Sequence, residues 1–453
     1  LRREKMLDKF TEFLDTKLST SMARLAEQRH LRAVRDGIVA SLPLIIVGSF
    51  FLILAFPPLP DSWGVTQYLK ENAVTILLPY RMTFFIISVY STFGIGYSLA
   101  KSYKLDGLTG GLLATATFLL TIVPTAIEGL TPDLLKIVEK SPELLAWYNS
   151  IPQGWQMPMA NLGGGSMFVA IVTSIIGVEI YRFTDKSKFK ITMPEAVPAS
   201  VTRSFEALTP AALIIILMAI VTYFLGFDWH GFIAKLVTPL VSATDTLPSV
   251  IILIFLITFF WSFGIHGVSI IGSLARPLWI QLLDANTASY AAGQAVPGIA
   301  AEPFFQWFIW IGGSGATIGL ALLLAFRAKS AYGKSLGKAT VIPAIFNINE
   351  PIIFGAPIVL NPILIIPFVV APIVMATVSW FAMSANLVSR VVVTAPWTLP
   401  GPVGAYLATG GDWRASVLNL LCIAISIIIY YPFVKMYDKR LLHEEKVEEQ
   451  EAY

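Results

Sequence analysis

Charge is what the chain most lacks: of 453 residues, 13% are Asp, Glu, Lys or Arg and 55% are hydrophobic, with a mean hydropathy of +0.70. A soluble protein carries about 25% charged residues, so a water-soluble enzyme of this length is excluded. The 32 Lys and Arg nearly cancel 29 Asp and Glu, and a net charge of +3 excludes a nucleic-acid binder of this size. Cysteine is almost absent. Its single example, Cys422, rules out an internal disulfide, a Cys-rich zinc site and a Cys-x-x-Cys pair, and its apolar surroundings predict packing rather than reactivity. The four histidines, His30, His230, His266 and His443, show no metal-ligand spacing, so neither a metal nor another cofactor is expected. A cleavable signal peptide is not expected either, because residues 1–36 are dense with charge.

What is abundant is apolar sequence in runs. Stretches long enough to cross ~30 Å of hydrocarbon at ~1.5 Å per residue fall at about 38–56, 82–100, 105–127, 166–183 and 209–227, then 249–265, 268–285, 304–326, 360–383 and 415–434. The expected fold class is an all-α polytopic membrane protein with about ten transmembrane helices. The seventh run is the weakest, since Arg276 and Pro277 interrupt it. Before the first run, Leu7, Phe10, Phe13, Leu14, Leu18, Met22 and Leu25 recur at steps of three and four among charges, predicting an amphipathic helix on the membrane surface or against a partner. If both termini are cytoplasmic, 24 of the 32 positive residues fall on that side. The opposite loops, 57–81, 128–165, 228–248 and 286–303, hold only Lys70, Arg81, Lys136, Lys140 and Lys235.

Two interruptions carry the polar chemistry. Residues 341–362 read VIPAIFNINEPIIFGAPIVLNP, with Pro343, Pro351, Pro357 and Pro362. Proline removes a backbone donor and crowds the preceding turn, so no continuous helix forms and Glu350 leaves helical geometry. Backbone freed at membrane depth is tolerated only where protein shields it or it lines a watery cavity. A re-entrant hairpin is therefore expected near 340–358, with Asn347, Asn349 and Glu350 at its tip. A carboxylate there costs at least ~2.5–3.5 kcal/mol on insertion scales, and beside two amides it suits a polyol; the alternatives are an ion pair with a buried Arg or a half-helix cap. The second interruption, Thr394 to Gly404, has three prolines and two glycines. It is either a second re-entrant hairpin, near 394–409, that meets the first at the midplane, or an external loop.

Further candidates flank other span ends. His266 stands beside a break in FFWSFGIHG, where Gly264 and Gly267 leave room for a ligand unless the ring only caps a helix. Glu302 and Gln306, in AEPFFQW, lie at the mouth of a span as ligands or as loop anchors. Sugars stack their C–H faces on aromatic rings, which makes Trp261, Trp307, Trp310 and Trp397 candidates, although many tryptophans belong to the interfacial belt.

Phe-Gly-Ile-His-Gly at 263–267 and Asn-Ile-Asn-Glu-Pro at 347–351, followed by Phe354, Gly355 and Pro357, resemble the membrane subunit, enzyme IIC, of bacterial phosphotransferase sugar transporters in the lactose, cellobiose and diacetylchitobiose family. The resemblance covers nearly the whole chain and is greatest to diacetylchitobiose-type members. It implies a multi-pass protein of the bacterial plasma membrane that takes up a disaccharide, diacetylchitobiose or cellobiose being favoured, by group translocation. A separate cytoplasmic IIB protein carrying phosphocysteine would phosphorylate the sugar's 6-hydroxyl, with His266 and Glu350 as the catalytic pair near that hydroxyl and Asn347 and Asn349 close by. It also implies a homodimer. The expected organisation is a cytoplasmic segment at 1–36, a five-span scaffold and dimerisation half at 37–229 without sugar contact, a substrate-binding half at 230–440, and a cytoplasmic tail at 441–453. The rival reading is a proton-coupled sugar symporter with Glu350 and His266 as the proton-carrying pair. A multispanning lipid-modifying enzyme would need a cluster of acid, base or metal groups near the interface, which the sequence does not offer.

Overall fold

The computed structural model describes residues 28–451 apart from 58, 60, 61, 128, 189, 190, 192, 195, 196, 265, 357 and 360. The amphipathic stretch from Leu7 to Leu25 lies outside the described residues. The fold is all-α and polytopic. Two short strands among the described residues, β1 (Thr125–Ile127) and β2 (Gly154–Gln156), pair antiparallel with Ala126 opposite Trp155.

The first half is built on α1 (Arg29–Ala55), α2 (Ile87–Ser102), α3 (Gly107–Leu119), α4 (Met167–Asp185) and α5 (Leu208–Ala219). Glycine brings these helices together. A Cβ on Gly37 of α1 would lie 2.3 Å from the Ile95 nitrogen of α2, and one on Gly96 of α2 would lie 2.6 Å from the Gly110 oxygen of α3. Small residues that invite close helix packing are thus occupied within a single chain at these positions.

The second half contains α6 (Trp229–Thr244), α7 (Leu247–Ser262), α8 (Gly267–Ala291), α9 (Glu302–Phe308), α10 (Ile318–Arg327), α11 (Ala331–Ile345), α12 (Glu350–Gly355), α13 (Pro362–Ser384), α14 (Gly401–Ala408) and α15 (Trp413–Glu451). Among the described residues, six helical stretches are long and apolar enough to cross a membrane, or seven if α6 and α7, bent by 82° at their junction, form one span. Two of the ten expected spans differ, at 105–127 and 304–326, while the weakest of them, at 268–285, forms as expected. The run at 105–127 yields only the 13-residue α3, because the helix stops at Leu119. The run at 268–285 is the continuous α8, with Pro277 inside it. The run at 304–326 is not one helix but two, α9 and α10, separated by a turn at 309–317 in which Gly312, Gly313, Gly315 and Ala316 all have positive φ. The expected loop at 228–248 is also mostly helix: Asp228 starts α6 by accepting the Gly231 N–H at 2.8 Å.

Every broken stretch must dispose of its orphaned backbone groups. Asn419, Ser426 and Tyr430 recur along one face of α15 and donate to the carbonyls of Trp307, Ala316 and Gly315 at 2.5, 2.7 and 2.8 Å. They close the 309–317 turn. Residues 387–400 run without helix and return through α14, and both Val392 and Val393 N–H donate to the Ala408 carbonyl at 2.8 and 3.3 Å. Asn286 and Thr287 of α8 take up the Val391 and Val392 carbonyls at 2.9 and 2.6 Å. Around these breaks Phe304, Phe305, Trp307, Phe308, Phe368 and Tyr430 are fully buried, and Cys422 lies among them at 3.3 Å from the Ser379 hydroxyl.

Candidate functional site

Three interruptions converge: the 309–317 turn, the 346–349 break between α11 and α12, and the extended arm before α14. Asn347 joins them. It sits at φ +61°, a left-handed conformation that asparagine tolerates. Its Oδ1 accepts the Gly312 N–H at 3.0 Å, and its Nδ2 donates to the Trp397 and Leu399 carbonyls at 2.8 and 3.1 Å. With three bonds to backbone and 8% exposure, this amide organises the site more than it offers itself to a ligand.

Asn349 is the residue before α12, and its Nδ2 donates to the Ser314 carbonyl at 3.0 Å. Its Oδ1 has no partner among the described residues. The close approach explains Gly313, where φ is +93° and a Cβ would come 2.4 Å from Asn349 Cγ. Glu350 opens α12, where a negative charge suits the helix N-terminus. It is exposed and forms no ion pair or hydrogen bond with another described residue.

His266 caps α8. Its Nδ1 accepts the Ser269 N–H at 3.2 Å and lies 3.1 Å from the Ser269 hydroxyl. A ring nitrogen that accepts from a backbone amide carries no proton, so in the neutral ring the proton sits on Nε2, a donor for whatever lies beyond. Trp261 backs this ring, with centroids 4.5 Å apart. The glycines beside His266 serve the fold: Gly264 turns at φ +74°, and a Cβ on Gly267 would meet the Ile257 carbonyl oxygen at 2.0 Å.

A cavity of about 400 Å³ gathers His266, Glu302, Gln306, Asn347, Asn349, Glu350 and Trp397. Trp261 does not line it; at 3% exposure it is a buried support behind His266. Trp307 and Trp310 reach the lining but are 1% and 6% exposed, whereas Trp397 is 50% exposed. Glu302 is engaged by Arg276, whose Nη2 and Nε lie 2.6 and 3.0 Å from Oε1. Val39, Leu42 and Ile46 of α1 form an apolar side of the cavity, so residues of both halves line it.

Arg276, Ser314 and Thr394 also line the space and escaped the reading of the sequence. Two signals were available: an arginine inside an apolar run needs a counter-ion, and Gly312-Gly313-Ser314-Gly315 is a turn composition inside a span. Among the described residues no three His, Cys, Asp or Glu side chains group as a metal site.

Helices broken inside apolar sequence, with a polar cavity at the breaks, define an integral membrane protein with an internal ligand site. Residues 35–372 match the family model described as Phosphotransferase system, EIIC. The chain belongs to this family of sugar-specific permease subunits, which work with a IIB component. It is 37% identical to the cellobiose-specific EIIC component of Geobacillus stearothermophilus over 98% of this chain and 97% of that one. It is 36% identical to the lichenan permease IIC component of Bacillus subtilis, strain 168, over 97% and 96%. Its fold matches the crystal structure of ChbC, the IIC component of the N,N'-diacetylchitobiose-specific phosphotransferase system, with a TM-score of 0.85, 37% identity, and coverage of 96% of this chain and 99% of that one.

Proposed function

We propose that the cavity holds a disaccharide of the cellobiose or diacetylchitobiose type and that Glu350 and His266 present its 6-hydroxyl to a phosphorylated IIB protein. The observation that carries this reading is the convergence of a carboxylate and an imidazole Nε2, neither with a partner among the described residues, the Asn349 amide and the Trp397 ring on one space of about 400 Å³. That volume falls within the usual range for small-ligand sites. Carboxylate and amide satisfy hydroxyls, and the indole offers a face to the sugar's C–H groups. Phosphoryl transfer through a loose transition state needs mainly alignment and charge stabilisation, so a membrane subunit contributes by placing one hydroxyl at its cytoplasmic side. Glu350 either orients that hydroxyl or accepts its proton.

The same reading puts both termini in the cytoplasm, assigns IIB docking to the positive segments at 182–190 and 327–338, and makes the first half the scaffold of a homodimer. The distribution of positive residues supports the orientation. Titrating the purified protein with cellobiose, diacetylchitobiose and lactose tests the ligand class. Transfer from phosphorylated IIB, with and without Glu350→Gln, tests the presentation step. No binding of any of the three sugars ends this reading. Sugar accumulation under a proton gradient in vesicles without phosphotransferase proteins favours a symporter instead.

A further inference from the structure

A second cavity, of about 490 Å³, lies between the end of α10 and the middle of α15. Arg327, Lys329, Lys435 and Lys439 surround it, with Leu323 and Val434 as buried apolar walls. The nearby carboxylates are already engaged by backbone. Asp438 accepts the Lys329 and Ser330 N–H groups at 2.9 and 3.0 Å and the Ser330 hydroxyl at 2.6 Å. Glu445 accepts those of Ala331 and Tyr332 at 3.2 and 2.9 Å, capping α11. None of the four cations forms an ion pair with another described residue. Four cations thus face one carboxylate, Asp438, on this lining, and the net positive field that remains calls for an anion.

The shape of α15 says which anion. Its face opposite Asn419, Ser426 and Tyr430 exposes Val417, Leu421 and Ile428 and then, in the same register, Lys435 and Lys439. The change from apolar to basic comes after ~27 Å of helix from Val417 to Lys435, at ~1.5 Å per residue, close to the ~30 Å of a hydrocarbon core. A soluble phosphate would use only the basic end of this surface. A phospholipid would use both, with acyl chains along the apolar stripe and the phosphate among the cations.

We propose that the outward face of α15, from Val417 and Leu421 beside α13 to the basic cavity beside α10, is a binding site for an anionic phospholipid. It is separate from the sugar cavity, with which it shares no lining residue, and it takes Arg327 and Lys329 for the lipid while leaving Lys334 and Lys338 of the same segment to IIB docking. The test uses the full chain, purified with phosphatidylglycerol or with phosphatidylcholine of the same acyl chains, and compared with the Lys435→Gln/Lys439→Gln double variant. Native mass spectrometry should show phosphatidylglycerol retained by the parent protein and its apparent affinity lowered about tenfold or more in the variant, at about one kcal/mol for each cation near the surface. Phosphatidylcholine should bind both proteins alike. Unchanged melting in phosphatidylcholine and unchanged sugar affinity would show that the variant is folded. Equal retention of phosphatidylglycerol by the two proteins overturns the proposal, as does full thermal stabilisation by millimolar inorganic phosphate alone. Slower transfer from IIB to the variant in pure phosphatidylcholine would assign the cations to a protein partner instead, which also overturns it.

Discussion

Two carboxylates face the cavity under different electrostatic conditions. Glu350 stands at a helix start with no counter-ion among the described residues, while Glu302 is held by Arg276 through both Nε and Nη2. Removing charge should therefore have opposite consequences. Glu350→Gln keeps the shape, so the protein should fold, while formation of sugar 6-phosphate should fall about tenfold or more, within the usual contribution of a general base. Sugar affinity should weaken as a charge-assisted hydrogen bond is lost. Arg276→Met instead strands a half-buried carboxylate and should destabilise by about 3 kcal/mol, the lower end for a broken buried pair, read as thermal melting. Arg276→Met/Glu302→Leu should recover much of that loss. Proline beside Glu350 and glycine beside His266 made these positions legible in the sequence. The pairing of Glu302 joins residues 26 apart, and the removal of Trp261 from the lining follows from packing behind His266, so neither has a local signature.

At the scale of the element, the site depends on interruptions that hold one another. Asn347 bonds the 309–317 turn and the arm before α14 at the same time. Asn347→Ala leaves three buried backbone groups without that partner, at about 1–3 kcal/mol for each unsatisfied group. Melting should fall by several degrees, and sugar binding should weaken even though the amide itself has little capacity left for a ligand. Proline-rich breaks announced two of the three interruptions. The third, inside the expected span at 304–326, is masked by its apolar average, because Trp310, Ile311, Ile318 and Leu320 flank the glycines. The helix at 229–244 was hidden in the other direction: the stretch 228–248 was expected as a loop, yet Asp228 caps the helix and Pro239 lies within it.

For the whole molecule, the fold class and the broken second half were legible because apolar runs and their punctuation follow from the bilayer itself. Less legible was how the halves share the cavity, since three α1 residues carry no mark in the sequence that separates a ligand wall from a helix contact. Lys334 and Lys338 are exposed on α11, away from the cavity that gathers Glu350 and His266. Replacing both with Glu should slow phosphorylation about tenfold at low ionic strength and leave sugar affinity unchanged. An equal rate at low and moderate salt in the parent protein would count against docking there.

The side of the cavity formed by Val39, Leu42 and Ile46 is smooth in a chemical sense, offering width and no hydrogen bonds. It acts as a gauge. With a disaccharide seated as proposed, substitutions there should alter how much ligand fits without altering how a hydroxyl is recognised. Leu42→Ala should shift the affinity ratio toward the N-acetylated disaccharide over cellobiose by about tenfold, the scale of small changes in an apolar pocket. The Glu350→Gln protein should weaken both sugars together, and titrating each variant with the two sugars side by side separates the two effects.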